Sequence, residues 1–276
     1  MASQPPANLP LFYQDLMPLS SSVHADFRVR NADTAPFLVN AHAIPITVDE
    51  FITAQRFYPI VFSVGEAPVP LALMGLNEGV NVFVDNDGRL LGETYIPAYV
   101  RRYPFMLAKL QPQAEELSLC FDPSSGLVAA GEEGNRMFDD QQPNDHLRSI
   151  LKFCEDFEMA AQRTNAFVRE LQEADLLIDG EVTIQPENAQ QPFVYRGFQM
   201  VSDEKLRELH GDKLRKLNQN GALPLLMAHM FSLPMIRDIF GRQMQQGKVP
   251  QPELGFSAGT GTGTGNGAGN GAGGNA

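Results

Sequence analysis

The chain has 276 residues, of which 43% are hydrophobic and 20% charged, the composition of an ordinary globular protein. Its formal net charge of -12 at pH 7 repels a polyphosphate backbone, which argues against nucleic acid as a partner. The two cysteines, Cys120 and Cys154, are too few for a disulfide framework in a chain of this length. We therefore expect two buried thiols in a reducing compartment.

The N-terminal residues lack the basic and apolar regions of a secretory signal. No apolar run approaches the ~20 residues that a membrane-spanning helix needs. These two features favour a cytoplasmic protein without a membrane span.

The first twenty residues contain four prolines and little periodicity, which predicts an extended lead-in. We expect this segment to dock onto the protein through its apolar side chains: Leu11, Phe12, Tyr13, Leu16 and Met17.

Strand patterns begin after the lead-in, with alternation at 27–30 and β-rich triplets at 37–39 and 44–46. Thr47 with Glu50 three positions later is typical of a capping box, so a short helix is predicted from there to about Phe57.

Two compact apolar runs, 58–64 and 70–76, predict neighbouring buried strands. Asp85 to Gly88 supply turn residues between 82–84 and 89–91, which indicates a hairpin. Two further segments, 105–110 and 116–121, are expected to pair. The N-terminal half is thus predicted to be a largely antiparallel sheet.

The hydrophobic period changes to three and four from Asn144 onward, which predicts a helix of seven to eight turns with Asn144 or Asp145 as its N-cap. A second hairpin is expected at 183–184 and 193–195. Ser202 is predicted to cap a run of short helices that reaches Gln245, with Gly221 as a terminator between two of them. Residues 246–276 are rich in glycine and predict a flexible, disordered tail.

These patterns predict an α+β fold, in which a long helix and short C-terminal helices pack on the antiparallel sheet. The expected organisation is a lead-in at 1–20, a single α+β domain at 21–245 and the Gly-rich tail at 246–276.

The common catalytic and cofactor motifs are absent from the sequence. The histidines show no HxH or HExxH spacing, so we predict no metal site (His24, His42, His146, His210 and His229). The sequence also lacks GxSxG and the phosphate-binding glycine loops, and no cofactor is predicted. His229 lies in an apolar helical stretch, which favours a hydrogen-bonded core or interface residue.

Residues 95–105, called the Tyr/Arg segment below, read YIPAYVRRYPF and are the most chemically concentrated stretch of the chain. Arginine forks bind carboxylates or phosphates, and tyrosines offer apolar faces with a polar tip. The candidate ligand-binding residues are Tyr95, Tyr99, Arg101, Arg102, Tyr103 and, from the following strand, Asp122.

If 96–103 form a short helix, adjacent arginines point about 100° apart, so one faces the protein body and the other faces solvent. The inward arginine needs an acceptor, for which we consider Glu93, Asp122 and Glu50. Two interpretations stay open: an arginine that braces the sheet, and an arginine that recognises a ligand or partner.

The C-terminal helical region is apolar enough either to bury against the sheet or to form a self-association face. Its candidate contact residues are Met227, Met230, Phe231 and Met235.

The Tyr/Arg segment resembles the bacterial SapC family, together with 58–62, 70–75, 82–85, 119–122, 197–198 and 220–223. The resemblance covers most of residues 10–240. The family is named for a component linked to paracrystalline surface layers. The resemblance also implies neighbours such as flavin-dependent tryptophan-halogenase-like proteins, iron and 2-oxoglutarate hydroxylases and outer-membrane receptors. It carries no catalytic residues onto this chain.

Three functions follow from these observations. The leading hypothesis is a cytoplasmic accessory or ligand-binding protein with a protein or peptide partner. The second is a surface-layer-associated structural protein that reaches the cell surface by non-classical export. The third is an enzyme acting on peptides or amino acids beside a flavoprotein or an iron oxygenase.

Overall fold

The computed structural model describes residues 9–111, 113, 116–186 and 191–249. The predicted Gly-rich tail lies outside the described residues from position 250 onward. Within them the fold is the predicted α+β class, with several small antiparallel sheets and one long helix.

The strands are short and come from both halves of the chain. They are β1 Met17–Pro18, β2 Phe27–Val29, β3 Ala43–Pro45, β4 Ile60–Ser63, β5 Pro70–Leu73, β6 Phe105–Ala108, β7 Ser118–Phe121, β8 Val128–Ala130, β9 Asn135–Arg136, β10 Phe138–Asp139, β11 Gln142–Pro143, β12 Leu177–Asp179, β13 Val182–Ile184, β14 Phe193–Tyr195 and β15 Phe198–Val201.

The helices are concentrated in the second half of the chain. They are α1 Ser21–His24, α2 Phe51–Ala54, α3 Ala98–Arg102, α4 Asp145–Glu173, α5 Asp203–Arg207, α6 Gly211–Gln219, α7 Ala222–Ser232 and α8 Ile236–Gln245. Short 3₁₀ turns lie at Pro36–Leu38, Val48–Glu50, Pro123–Ser125 and Leu233–Met235.

The largest sheet has five strands in the order β12-β15-β4-β5-β3, and every adjacent pair is antiparallel. The pairing of β4 with β5 confirms the two predicted buried strands. β12 and β15 join this sheet from the C-terminal half, which the sequence patterns had not indicated. The apolar run of β4 is consistent with its central place, since a strand covered on both faces needs no alternation.

Separate small sheets account for the remaining strands. One has the order β1-β7-β6 and another β8-β2-β9, β10 pairs with β11, and β13 and β14 form the predicted hairpin. The hairpin around Asp85 to Gly88 is also present, although its pairing is reduced to a bridge between Val84 and Leu90. The predicted strand at 37–39 is wrong, because Pro36 begins a 3₁₀ turn there.

α4 has 29 residues, and the Asn144 side chain accepts a hydrogen bond from the Leu147 amide, so of the two predicted caps Asn144 is the one used. Ser202 caps α5 in the same way through the Lys205 amide. Gly221 adopts a φ of 81° between α6 and α7, a conformation that a residue without Cβ adopts readily.

Two clusters of buried apolar side chains form the interior. The larger joins the five-stranded sheet to α4, α6, α7 and α8. The smaller, called the second core below, lies between β6, β7 and the start of α4 and contains Phe105, Phe121, Phe138 and Leu147. Both cysteines are buried and unpaired, as predicted.

The lead-in docks less completely than its composition suggested. Tyr13 is buried and donates from its hydroxyl to the carbonyl of Phe105 at 2.7 Å. Leu11 and Met17 are exposed instead. Met17 belongs to β1, whose pairing with β7 fixes the backbone while its side chain points to solvent.

The helical stretch Ala222–Gln245 reaches a mean hydropathy of 1.2, which by length and composition suffices for a membrane span. It is the one such stretch among the described residues, and 39% of its most apolar window is buried in the protein. Core helices pass the same criterion, so the finding is weak evidence for a span.

Candidate functional site

The Tyr/Arg segment folds as the predicted short helix, α3, flanked by two prolines. Pro97 precedes its first turn, and the peptide between Tyr103 and Pro104 is cis. The adjacent arginines diverge as expected: Arg102 is buried and Arg101 is exposed.

The guanidinium of Arg102 lies against two aromatic rings, 4.6 Å from the centroid of Tyr99 and 4.1 Å from that of Phe157. Its Nη1 lies 3.3 Å from Oε1 of Glu158 on α4. Its buried Nε has no hydrogen-bond partner among the described residues. This buried cation therefore packs α3 against α4 through its contacts with the two rings and Glu158.

The partner of the inward arginine was predicted wrongly. Glu158 was not among the three carboxylates considered, because only tertiary packing brings α4 against α3. Phe157, which stacks on Arg102, belongs to the same turn. The signal available in the sequence was the helical period of α4, which defines a face and leaves open what that face meets.

Arg101 lies on the surface and is nevertheless held in one orientation. Its Nε donates to the carbonyl of Ile96 at 3.0 Å, and its Nη2 donates to the hydroxyl of Tyr95 at 3.3 Å. The guanidinium carbon lies 5.1 Å from the ring centroid of Phe153 and 5.8 Å from that of Tyr95. Within the described residues its Nη1 makes no hydrogen bond.

Glu50 ties the Tyr/Arg segment to the predicted capping box. Its Oε2 accepts from the Thr47 amide at 2.8 Å and from the Thr47 hydroxyl at 2.9 Å. Its Oε1 accepts from the Ala98 amide at 2.7 Å and from the Tyr95 hydroxyl at 3.0 Å. All of these donors come from the protein, so this buried carboxylate is fully used in structure.

Asp122 is fully buried and equally occupied. It accepts from the Gln14 amide at 2.8 Å, and from the Ser124 amide at 2.8 Å and hydroxyl at 2.6 Å. These hydrogen bonds join the lead-in to the end of β7. The Asp122 carboxylate also acts on Tyr103: burial, and after it this carboxylate, raise the pKa of Tyr103 to about 12.

The tyrosines of the segment are neutral over the physiological range. Burial, reinforced by the Glu50 charge, raises the pKa of Tyr95 to about 12. Tyr99 has its pKa raised by burial and donates to the carbonyl of Leu11 at 3.0 Å. The hydroxyls of Tyr95 and Tyr99 thus donate hydrogen bonds to the protein.

The predicted site residues consequently fall into two groups. Tyr99, Arg102, Tyr103 and Asp122 fix the lead-in, α3 and α4 to one another. Arg101 is exposed, and Tyr95 lies half-buried beside it. Phe153 belongs with them and was missed, since nothing in the sequence pairs it with Arg101.

Two clefts of the described residues lie elsewhere. One lies between α4 and α6, beside Glu170 and Lys216, and the other lies at the second core, beside Leu119 and Leu151. The described residues contain no group of three or more His, Cys, Asp or Glu side chains arranged to hold a metal ion.

Fold and site together define an α+β protein in which an arginine- and tyrosine-rich helix is clamped between the lead-in and a long helix. The family model of SapC matches residues 19–239, and the chain belongs to the SapC family. No curated protein and no solved structure matches it. The match confirms the resemblance inferred from the Tyr/Arg segment and leaves the biochemical activity undefined.

Proposed function

We propose that this SapC-family protein is an accessory protein that binds an anionic group of a protein or peptide partner at Arg101. The observation that carries the proposal is the fixed orientation of an exposed guanidinium. Two of its nitrogens are bonded to the protein, and its Nη1 is left for a ligand.

Preorganisation is the physical reason for choosing Arg101. A free arginine loses rotamer freedom when it binds, and a side chain already ordered by its neighbours loses less. The rings of Phe153 and Tyr95 lie beside the guanidinium and restrict it, and its planar fork matches the geometry of a carboxylate. A carboxylate at the edge of this plane would accept a charge-assisted hydrogen bond.

The chemistry of the segment favours binding over catalysis. The buried carboxylates near it, Glu50 and Asp122, already accept hydrogen bonds from the protein. Burial holds the tyrosine pKa values above the physiological range, so these hydroxyls are poor general bases. What the segment offers a ligand is a fixed cation beside aromatic rings.

The test compares adjacent arginines in one helix. A pull-down with the wild-type chain identifies the partner, and its affinity is then measured for Arg101→Ala, Arg101→Lys and Arg102→Ala. We expect Arg101→Ala to weaken binding by about tenfold or more, because that is the contribution of one charge-assisted hydrogen bond to the binding free energy. Its thermal midpoint should change little. Arg101→Lys keeps the charge without the planar fork and should bind at an intermediate strength.

Arg102→Ala serves as the control for stability. It leaves Glu158 without its ion-pair partner and removes the stacked guanidinium, so its thermal midpoint should fall. Recognition by this segment is disproved if both alanine variants retain the partner and differ from wild type in stability alone.

A further inference from the structure

The second core opens to the surface in an apolar cleft of about 260 Å³. Its floor is made by Phe138 and Leu147, which are buried, and by Leu119 of β7. Leu151 stands at the rim with 36% of its surface exposed. This cleft is distinct from the Tyr/Arg segment and shares no residue with it.

The volume sets the size of a suitable occupant. A water molecule occupies roughly 30 Å³ in the liquid, and a methylene group is of similar size. The cleft therefore has room for on the order of eight to nine methylene groups. That is close to the lower end of the range for small-molecule sites and suits a short alkyl chain.

The polar group at the mouth of the cleft determines which chemical group the ligand carries at that end. Arg148, one turn before Leu151 on α4, lines the cleft beside its apolar wall. Its Nη1 lies 2.9 Å from Oδ1 of Asp145, in a pair whose side chains are 63% and 99% exposed. A pair so exposed is weak, so an incoming carboxylate can compete for the guanidinium.

We propose that this cleft binds a medium-chain alkyl carboxylate, with the chain against Leu119, Leu147 and Leu151 and the carboxylate on Arg148. The proposal is independent of the Arg101 site. The alkyl chain removes the partly exposed side chains of Leu119 and Leu151 from water, which is the source of the binding energy.

The first test is a titration of the full chain with hexanoate, octanoate and decanoate. Binding is measured from the methyl NMR shifts of the leucines. Each added methylene should tighten the dissociation constant about fourfold until the cleft is full. Shifts that do not saturate, or an affinity independent of chain length, would overturn the proposal.

Matched variants on α4 locate the site. Leu151→Glu places a charge at the apolar rim and should weaken octanoate binding at least tenfold. Ser149→Glu adds the same charge to an exposed position outside the cleft and should change the affinity less than twofold. Equal effects of the two changes would contradict binding in this cleft.

Arg148→Gln tests the carboxylate contact. The wild-type chain should prefer octanoate to octanol, and the variant should bind the two equally. A parallel titration with N-acetyl-Leu-Leu distinguishes a free alkyl acid from the carboxyl end of a peptide. Tighter binding of the peptide than of octanoate would overturn the assignment to an alkyl chain.

Discussion

The imidazole of His229 lies in the interior, where both ring nitrogens are hydrogen bonded to the backbone of the five-stranded sheet. Its Nδ1 lies 2.7 Å from the carbonyl of Ile60, and its Nε2 accepts from the Val201 amide at 3.0 Å. The pair of contacts defines the neutral tautomer with its proton on Nδ1. His229 is the hydrogen-bonded core residue that the sequence predicted, and it joins α7 to β4 and β15.

This environment predicts a pH-dependent stability. Burial lowers the pKa of His229 to about 4, against a partial opposing effect of the hydrogen bond to Ile60. The unfolded chain binds a proton near pH 6.5, so stability is complete above that pH and falls between about 6.5 and 4. The loss should approach about 3 kcal/mol in the free energy of unfolding.

Urea unfolding at pH 7, 5.5 and 4.5 measures this loss. His229→Gln is the control, since an amide can donate to Ile60 and accept from Val201 without titrating. The informative quantity is the difference between the two chains, because it cancels every other pH-dependent contribution to stability. Parallel pH dependences of wild type and variant would refute the assignment.

At Cys154, burial has a larger effect on the pKa of the thiol than a nearby positive charge. Desolvation raises the pKa of its thiol to about 11, while Arg102 acts in the opposite direction. A thiol with such a pKa holds almost no nucleophilic thiolate at neutral pH. This agrees with the sequence-based prediction of a buried structural cysteine.

At the scale of elements, α4 connects regions that lie far apart in the sequence. It contributes Glu158 and Phe157 to Arg102, Phe153 to Arg101 and Thr164 to the 3₁₀ turn at Val48–Glu50. Its N-terminal turns cover the second core and its C-terminal turns cover the larger one.

The contact of α4 with the 3₁₀ turn yields a prediction about Thr164. The buried Oγ1 accepts from the Val48 amide at 2.9 Å and donates to the Ala160 carbonyl at 2.7 Å. Thr164→Val keeps the shape and leaves the Val48 amide unsatisfied, which should cost about 1–3 kcal/mol of unfolding free energy.

Thr164→Ser is the matched control, because it keeps the hydroxyl and removes a methyl group worth about 1 kcal/mol. Chemical denaturation of the three chains gives the comparison. If Val were tolerated as well as Ser, or better, the hydroxyl bridge would not stabilise this contact.

At the scale of the whole molecule, α7 and the turn after it bear an exposed apolar stripe on a strongly acidic protein. Phe231 is 71% exposed, and Met227, Met230 and Met235 are half-buried around it. From Ala222 to Ile236 the sequence has no charged side chain. An apolar helical face of this kind is typical of interaction surfaces.

We expect self-association through this stripe, which light scattering of the purified chain can measure. The wild type should give a mass of about twice 30.4 kDa, and Phe231→Glu should give a monomer because it places a charge in the contact. Val23→Glu, at a residue 70% exposed on α1, is the control and should leave the mass unchanged. A monomeric wild type would rule out this interface.

The sequence by itself determined the local structure. The helical period of α4, the cap at Ser202 and the turn residues 85–88 depend on residues close together in the chain and were predicted correctly, and Asn144 was one of the two caps predicted for α4. The family was also evident from the Tyr/Arg segment, because that motif is contiguous.

Only the tertiary structure decided which elements meet. The tertiary structure brought β12 and β15 into the sheet of β4. It also paired Arg102 with Glu158, although carboxylates nearer in the sequence had been expected as its partner. Helical or alternating periods specify a face, whereas its partner depends on how all the faces pack at once. The division between a structural Arg102 and an exposed Arg101 follows from that packing.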